Sequence, residues 1–268
     1  MRLRLSFLLL IGFFTIQFAH GQTADTIRPG KGHMMTGYLK PGLQQYFIYM
    51  QDPNKNRELT FWYWMRDISL ETHNGVKTFA ISQRWYGSDT SWFRTVYSLN
   101  AQEDFAPIFF KETTGGPKSV AYNWNADGIS GADTVEGNTK KAFSLKFDAP
   151  NMNWNLDIET FEMLPLAEGK SFLINFYDAG LDPPAYVLYK VIGSEELSLF
   201  GGERTDCWKL TTSGKDPQGN AYSEVYWISK KGHEFLKEED IYGTSMYRVK
   251  VKMPAGMPDL TKKFTKLG

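Results

Sequence analysis

Three groups of acidic residues are the side chains of this chain whose types and spacing could support acid–base chemistry. Two nearby carboxylates can act as general acid and general base when their surroundings separate their pKa values. The first group lies on a predicted helix, where capping and solvation explain it better than catalysis does. The other two lie in or beside predicted strands, where solvated charges discourage pairing between sheets. These groups are Asp157, Glu159 and Glu162, then Glu195 and Glu196, then Glu238, Glu239 and Asp240.

Histidine and cysteine form no recognisable catalytic or metal-binding pattern. Beyond residue 21 the histidines are His33, His73 and His233, and none has the H-x-H or H-E-x-x-H spacing of a metal site. The segment 128–132, Gly-Ile-Ser-Gly-Ala, only approaches the nucleophile-elbow pattern, and no helix is predicted after it. Cys207 is the single cysteine and is interpreted as a buried small hydrophobic residue. We therefore expect no catalytic residues, no metal and no cofactor.

Aromatic residues are the other distinctive set, since they make up 15% of the chain and include eight tryptophans. The ordinary interpretation is that these rings form the hydrophobic core. A sharper hypothesis is that some of them line an apolar groove between a sheet and a helix, able to hold an acyl chain. The candidate groove-lining residues are Trp62, Trp64, Phe143, Phe147, Phe161, Phe172, Phe176, Trp208 and Trp227.

The first 21 residues have the pattern of a secretory signal peptide. Two arginines precede an apolar run over residues 5–18, and small residues at Ala19 and Gly21 suit cleavage before Gln22. The run is shorter than the roughly 20 residues that a membrane-spanning helix needs. The sequence therefore predicts export to the periplasm, with association with the outer membrane left open. No later segment is apolar for long enough to span a membrane, so we expect a mature protein that does not span one.

The balance of charge argues against a nucleic-acid partner. The chain has 30 basic and 30 acidic residues, and removal of residues 1–21 leaves 28 basic residues against 30 acidic ones. Nucleic-acid-binding proteins usually concentrate positive charge on one face. This sequence shows no such excess, so we expect no nucleic acid to bind.

Short extended segments separated by turns dominate the rest of the chain. Asn74-Gly75 is the strongest hairpin signal and predicts two adjacent antiparallel strands. Pro107 lies inside a predicted strand and cannot donate a ladder hydrogen bond, so that strand should lie at an edge or carry a bulge. Gly193 is predicted to mark a bend or bulge in a long strand.

One helix is predicted, over about residues 155–164. Asn155 is the expected N-cap, apolar residues recur every third position from Ile158, and Pro165 marks the end. About a dozen strands against this one helix predict a mainly β protein. Because wide sheets curl, we expect a large, strongly curved antiparallel sheet or an open barrel with the helix docked on it.

The predicted organisation has four parts. Residues 1–21 form the signal peptide, and residues 22–42, rich in glycine and proline, form a flexible leader. Residues 43–253 form a single curved β-sheet domain, and residues 254–268 form a C-terminal tail.

The order of several short segments resembles a family of exported Gram-negative proteins described as a domain of unknown function. The resemblance covers roughly residues 90–252 and is clearest from residue 155 onward. It implies a fold akin to the lipoprotein carriers LolA and LolB, a curved antiparallel sheet partly closed by helix, and those carriers hold acyl chains in an apolar cavity. It carries over no functional residues. The segments are 156–166, 189–195, Gly201-Gly202, 207–210, 225–229 and 234–240.

Three hypotheses of function follow from the sequence. The leading one is a non-enzymatic periplasmic protein that binds an apolar or amphipathic ligand, a lipid or an acylated protein, in the concavity of its sheet. The first alternative is a structural or assembly module of the envelope that binds a protein partner. The second is a hydrolase whose residues assemble only in three dimensions. A flat, filled sandwich or several ionisable groups in a cleft would argue against the leading hypothesis.

Overall fold

The structure is a computed structural model that describes residues 23–52, 59–87, 93–200, 202–216, 219–243, 246–254, 257 and 259. The predicted signal peptide, Gly201 and most of the predicted tail lie outside these residues. Among the described residues, no helix has the length and apolar character needed to cross a membrane.

Sixteen strands in the described part of the chain form one sheet, and the prediction of a mainly β protein is confirmed. The order across the sheet is β1, then β11 to β16, then β2 to β9, and β10 pairs with β11 beside β1. Neighbouring strands are antiparallel except that β1 and β10 run parallel to β11. The strands are β1 Asp25–Ile27, β2 Gly42–Gln51, β3 Leu59–His73, β4 Val76–Gly87, β5 Arg94–Ala101, β6 Pro107–Thr114, β7 Ser119–Asn125, β8 Gly128–Gly131, β9 Ser144–Lys146, β10 Met152–Asn153, β11 Ser171–Tyr177, β12 Ala185–Ser198, β13 Arg204–Lys215, β14 Ala221–Ser229, β15 Phe235–Tyr242 and β16 Met246–Lys252.

The residues predicted to form turns and bulges lie at turns and bulges in the structure. Asn74 and Gly75 both have positive φ and close the hairpin between β3 and β4, where His73 pairs with Val76. Gly193, also at positive φ, lies within the register shift between β12 and β13. Pro107 begins β6 next to a register shift with β5, so it lies at a bulge and not in an edge strand.

The predicted helix is shorter than expected. A 3-10 turn, Trp154–Leu156, leads into α1, Asp157–Glu162. The side chain of Asn153, not that of Asn155, accepts the hydrogen bond that caps the turn. The turn starts at Trp154, two residues before the first helical position that an N-cap at 155 implies, so the capping position moves from 155 to 153.

The position of α1 shows how strongly the sheet curves. Phe161 of α1 packs on Tyr189 of β12 and Tyr226 of β14, with ring centroids 4.7 Å apart in both cases. Glu159 accepts a hydrogen bond from Gln83 of β4, at 3.3 Å. In a flat sheet β12 and β4 would lie about 34 Å apart, at about 4.8 Å per strand, whereas a six-residue helix is only about 9 Å long. The sheet therefore curls around the helix, as predicted.

The two ends of the curled sheet contact each other through side chains. Tyr177 of β11 packs edge-on against Trp124 of β7 and against Phe147, with ring centroids 5.4 Å apart in both cases. In the described residues no strand of one end hydrogen-bonds to the other end as a ladder. We call this line of ring contacts the seam, and it makes the fold an open barrel.

Part of the predicted flexible leader is ordered against the barrel. Asp25–Ile27 pairs with Phe172–Ile174 of β11, and the side chain of Ile27 is fully buried. The backbone N–H of Met35 donates to the carbonyl of Met163, just after α1. Pro29 and Gly30 form a turn between Arg28 and Lys31, whose backbone groups hydrogen-bond to each other.

Candidate ligand-binding site

The side chains on the face of the sheet that packs against α1 combine aromatic and charged groups. We call this the inner face, and successive residues of each strand alternate between it and the outer face. In β2 and β3, Tyr46 and Trp64 are cross-strand partners, lie on the inner face and stack with ring centroids 4.5 Å apart. Beneath α1 this face is filled, because Leu156, Phe161 and Leu164 have no exposed surface.

Away from α1 the inner face has an open cavity of about 320 Å³, which we call the inner pocket. Its apolar lining comes from β2, β3 and β4, and two arginines from β5 and β16 complete it. A second depression, of about 620 Å³, is formed by leader residues 33–40 with Lys231 and Gly232. The described residues that line the inner pocket are Ile48, Met50, Trp62, Trp85, Arg94 and Arg248.

Arg94 is held at the pocket by two neighbouring side chains. It lies opposite Trp85 in the pairing of β4 with β5. Its Nη2 donates to Glu112 of β6 at 2.8 Å and also to the side-chain oxygen of Asn155, before α1. Its Nε is buried and has no hydrogen-bond partner among the described residues. The arginine is thus fixed in position while retaining an unused donor.

Arg248 is held by a cluster of charges on β15 and β16. Its Nε donates to Asp240 at 2.5 Å and its Nη2 to Glu238 at 2.9 Å. Lys250 donates to the other oxygen of Glu238, at 2.5 Å. We call Glu238, Asp240, Arg248 and Lys250 the open network, because the Arg248 side chain is 32% exposed.

The two carboxyl groups of the open network differ in charge. Burial alone would raise the pKa of Glu238, but the charges of Lys250 and Arg248 lower it to about 2. Burial and the nearby charge of Glu238 raise the pKa of Asp240 to about 9. At neutral pH the pair therefore carries one negative charge, opposite the two positive charges of Arg248 and Lys250.

A second cluster of charge lies under α1 and is fully enclosed. Arg66 of β3 has no exposed surface, and its Nη2 donates to both oxygens of Glu162, at 2.8 and 3.0 Å. Its Nη1 lies 3.8 Å from Glu159. Glu162 also accepts the backbone N–H of Phe235, at 2.8 Å. We call Arg66, Glu159 and Glu162 the sealed network, because their side chains have almost no exposed surface. The network joins α1 to both halves of the sheet.

These two networks correct the interpretation of the acidic residues. Glu159 and Glu162 are buried, so solvation does not explain them, and Glu238 and Asp240 are buried inside the sheet. The strand containing Glu238 lies between β14 and β16, so it is not an edge. Alternation in a strand and charge on a helix both predicted exposure. The missing information was the matching cation, which comes from the distant strand β3 for Glu162 and from the adjacent strand β16 for Glu238 and Asp240.

Asp157, at the start of α1, belongs to the same region of the inner face. Its Oδ1 accepts the backbone N–H of Ile158 at 2.7 Å, as expected for an acid in a first helical turn. Burial is the main cause that raises its pKa, to about 7, and Lys250 acts in the opposite direction. The side chain is partly exposed to solvent while its carboxyl is surrounded by protein.

The nine predicted groove-lining residues fall into three separate clusters. Six lie in or against the main core of the inner face, two at the seam, and one elsewhere. Only Trp62 lines the inner pocket. The first set is Trp62, Trp64, Phe161, Phe172, Phe176 and Trp208, and the seam pair is Phe143 and Phe147.

Trp227 does not lie with the others. It follows the inner-face residue Tyr226 in β14, so it lies on the outer face, where it packs with Cys207, Leu197 and Leu236. The Nζ atoms of two lysines lie 4.6 and 5.2 Å from its ring centroid. Cys207 is buried in this small cluster, as expected for a structural thiol.

Sequence reasoning did not identify Trp85 and the two pocket arginines. Trp85 had a usable signal, because it pairs with Trp64 across the hairpin that Asn74-Gly75 defines. The arginines had none, since a charged residue in an alternating strand is ordinarily assigned to solvent. In the described part of the chain no group of three or more His, Cys, Asp or Glu is arranged to hold a metal ion.

Comparisons with known proteins relate the chain to other proteins of unknown function. A chain described as "Beta-barrel-like Protein of Domain of Unknown Function DUF1849 from Brucella abortus" aligns with 8% identity and a TM-score of 0.47, over 80% of this chain and 97% of its own. A DUF1329 family protein from Desulfovibrio piger aligns with 7% identity and a TM-score of 0.26, over 87% and 95%. No curated protein matches the chain.

A family model matches most of the chain. The model described as "Protein of unknown function (DUF3108)" matches residues 45–256, which include every strand from β3 to β16 and both charge networks. The expectation of a family of unknown function with a curved antiparallel sheet is thereby confirmed. The chain belongs to the DUF3108 family.

Proposed function

We propose that the protein is an exported, non-enzymatic protein that binds an apolar or amphipathic ligand, such as a lipid or an acylated protein, in the inner pocket. The observation that carries the proposal is the lining of this cavity by Ile48, Met50, Trp62 and Trp85. A volume of about 320 Å³ is at the lower end of the range for small-molecule sites, roughly 300–1,000 Å³. It suits one chain or head group better than a whole diacyl lipid. The export signal in residues 1–21 supports action in the periplasm.

The ionisable groups of the inner face do not favour the hydrolase hypothesis. Within the described residues, the pocket lining contains no carboxylate, histidine, cysteine or serine that could act as nucleophile or general base. The buried carboxylates nearby are hydrogen-bonded to cations, as Glu162 is to Arg66 and Glu238 to Lys250. Glu162 and Glu238 are thus held in ion pairs, and neither lines the pocket.

The proposal can be tested with N-phenyl-1-naphthylamine, an uncharged dye whose fluorescence rises in apolar sites. We expect saturable binding to the purified protein that Met50→Trp, which fills the pocket, weakens at least about tenfold, or about 1.4 kcal/mol. Tyr49→Trp on the outer face of the same strand is the matched control and should bind the dye as wild type does. Equal binding by the two variants, or no saturable binding at all, would refute the proposal.

The alternative of a protein partner is supported by a different observation on the outer face. Phe61 of β3 is exposed and stacks on Phe47 of β2, with ring centroids 5.5 Å apart, and Leu59 beside it is also exposed. Exposed apolar groups in contact with one another are typical of interaction surfaces. Chemical crosslinking in the cell envelope tests this alternative, because Phe61→Ser should abolish a stoichiometric crosslinked product that Met50→Trp retains.

A further inference from the structure

The lining of the inner pocket has two cations and, within the described residues, no anion. The side chains of Arg94 and Arg248 are 30% and 32% exposed, so neither is fully buried. A wholly apolar ligand would displace water from both groups and offer no hydrogen bonds in return, which costs free energy. An anionic group beside an apolar chain would satisfy both parts of the lining.

Both arginines are fixed and both retain donor capacity. The Nε of Arg94 has no hydrogen-bond partner among the described residues although it is buried. Buried donors normally have a partner, and the described residues supply none for this atom. Arg248 uses Nε and Nη2 for Asp240 and Glu238, which leaves Nη1 to donate elsewhere. Arginines held in place by protein carboxylates lose little freedom when they bind an acid.

The apolar side of the pocket lies against these cations. Trp85 pairs directly with Arg94 across β4 and β5, and Met50 pairs with Arg248 across β2 and β16. The cross-strand partner of Trp62 is Ile48, also in the lining. Cross-strand partners on one face lie about 5 Å apart. A ligand whose acid group contacts an arginine therefore has its first carbon atoms against Trp85 and Met50.

We infer that the inner pocket takes a single-chain anionic amphiphile, with its carboxylate or phosphate group on Arg94 and Arg248 and its chain on Trp62 and Trp85. This inference rests on the proposed function and specifies the chemistry of the ligand. The charge of the open network agrees with it, because Glu238 and Asp240 together offset only one of the two positive charges on Arg248 and Lys250 at neutral pH.

The test compares head groups on one chain length by titration calorimetry with the purified protein. The probes are dodecanoate, dodecyl phosphate, dodecanol and dodecyltrimethylammonium, below their aggregation concentrations. We expect either anion to bind at least about tenfold more tightly than dodecanol. Arg94→Gln should remove about tenfold of that affinity and leave dodecanol binding unchanged. Arg84→Gln, at an exposed position of β4, removes the same charge from the outer face and should change nothing.

The outcomes separate the two proposals. Dodecanol binding as tightly as both anions would overturn the inference and leave the proposed function standing, whereas no binding of any probe would defeat the proposed function. Equal losses in Arg94→Gln and Arg84→Gln would indicate a general charge effect and also overturn the inference. Arg94→Lys keeps the charge, so if Arg94→Gln does not fold, a loss of anion affinity in Arg94→Lys is still required. The stronger of the two anions identifies the carboxylate or the phosphate as the natural head group.

Discussion

The sealed and open networks use the same groups in different surroundings. Each places an arginine between two carboxylates on the inner face, but the sealed network joins α1 to the distant strand β3, whereas the open network joins the consecutive strands β15 and β16. Arg66 in the sealed network has no exposed surface, whereas Arg248 in the open network is 32% exposed and lines a cavity. Burying an ion pair costs desolvation energy that good geometry only partly offsets. The sealed network therefore fixes α1 on the sheet, and the open network holds a cation at the surface of a pocket.

The largest loss of stability is expected when the cation of the sealed network is removed. Arg66→Met leaves Glu162 buried without its cation, so we expect the free energy of unfolding to fall by about 3–5 kcal/mol in urea denaturation. Arg204→Met, which removes an exposed pair with Glu196, is the control and should cost at most about 1 kcal/mol. If the two variants lose similar stability, the sealed network does not fix the helix.

Asp157 differs from both networks because it is a partly buried acid, and its pKa is raised by burial with no arginine among the causes that oppose the shift. Its pKa is raised to about 7 in the folded protein from 3.8, so folding favours its protonated form. This contribution to stability is complete below pH 4 and is lost as the pH rises through 7. We expect Asp157→Asn to unfold like wild type at pH 4 and to be about 1–3 kcal/mol more stable at pH 8.

Urea denaturation at the two pH values measures this difference. Asparagine retains the oxygen that accepts the N–H of Ile158, so the cap is preserved. A gain of the same size at both pH values would show that packing and not charge is responsible.

A smaller effect is expected from the open network, on the affinity for an anionic ligand. Burial and the charges of Glu238 and Glu224 raise the pKa of Asp240 to about 9, and Arg248 opposes them. Above that pH a second negative charge lies beside Arg248, so the affinity for dodecanoate should fall severalfold, by less than about 1.4 kcal/mol. Dodecanol is the control, and calorimetry at pH 7 and pH 10 measures both. A dodecanoate affinity that does not change with pH would contradict the assigned charge of Asp240.

The smallest effect is expected where an ion pair is exposed. Lys170 lies 3.0 Å from Asp25, and both side chains are more than a third exposed. Lys170→Ala should change the free energy of unfolding by about 0–1 kcal/mol, and added salt should abolish the difference. A loss near that of Arg66→Met would mean that exposure does not distinguish the charge clusters of this protein.

The architecture could be predicted because it depends on local signals. The Asn74-Gly75 turn, the bulge at Gly193 and the excess of strands over helix each have a direct physical cause in the chain. The helix was predicted within a few residues for the same reason, since its apolar side chains recur at helical spacing. The order of strands could not be derived this way, because the pairing of β16 with β2 joins the two ends of the domain.

The site could not be predicted because its charged side chains lie on the inner face of the sheet and not on the solvent-facing side. In β16, Tyr247, Val249 and Val251 alternate with Arg248 and Lys250, and period-two reasoning assigns the charged set to solvent. The structure directs the charged set inward, where Glu238 and Asp240 of β15 compensate it. Only the pairing of β15 with β16, together with the position of β15 against α1, reveals the match.

The seam is the line along which the two ends of the described sheet meet without a β-ladder between them. Everywhere else in the described sheet, neighbouring strands are joined by a ladder of backbone hydrogen bonds, whereas at the seam the rings of Trp124 and Tyr177 make the contact. Residues 147–151 cross this line as a single loop, which connects β9 at one border of the sheet to β10 at the other. The two borders are therefore held at the seam by aromatic packing and by this loop, and separating them there breaks no β-ladder.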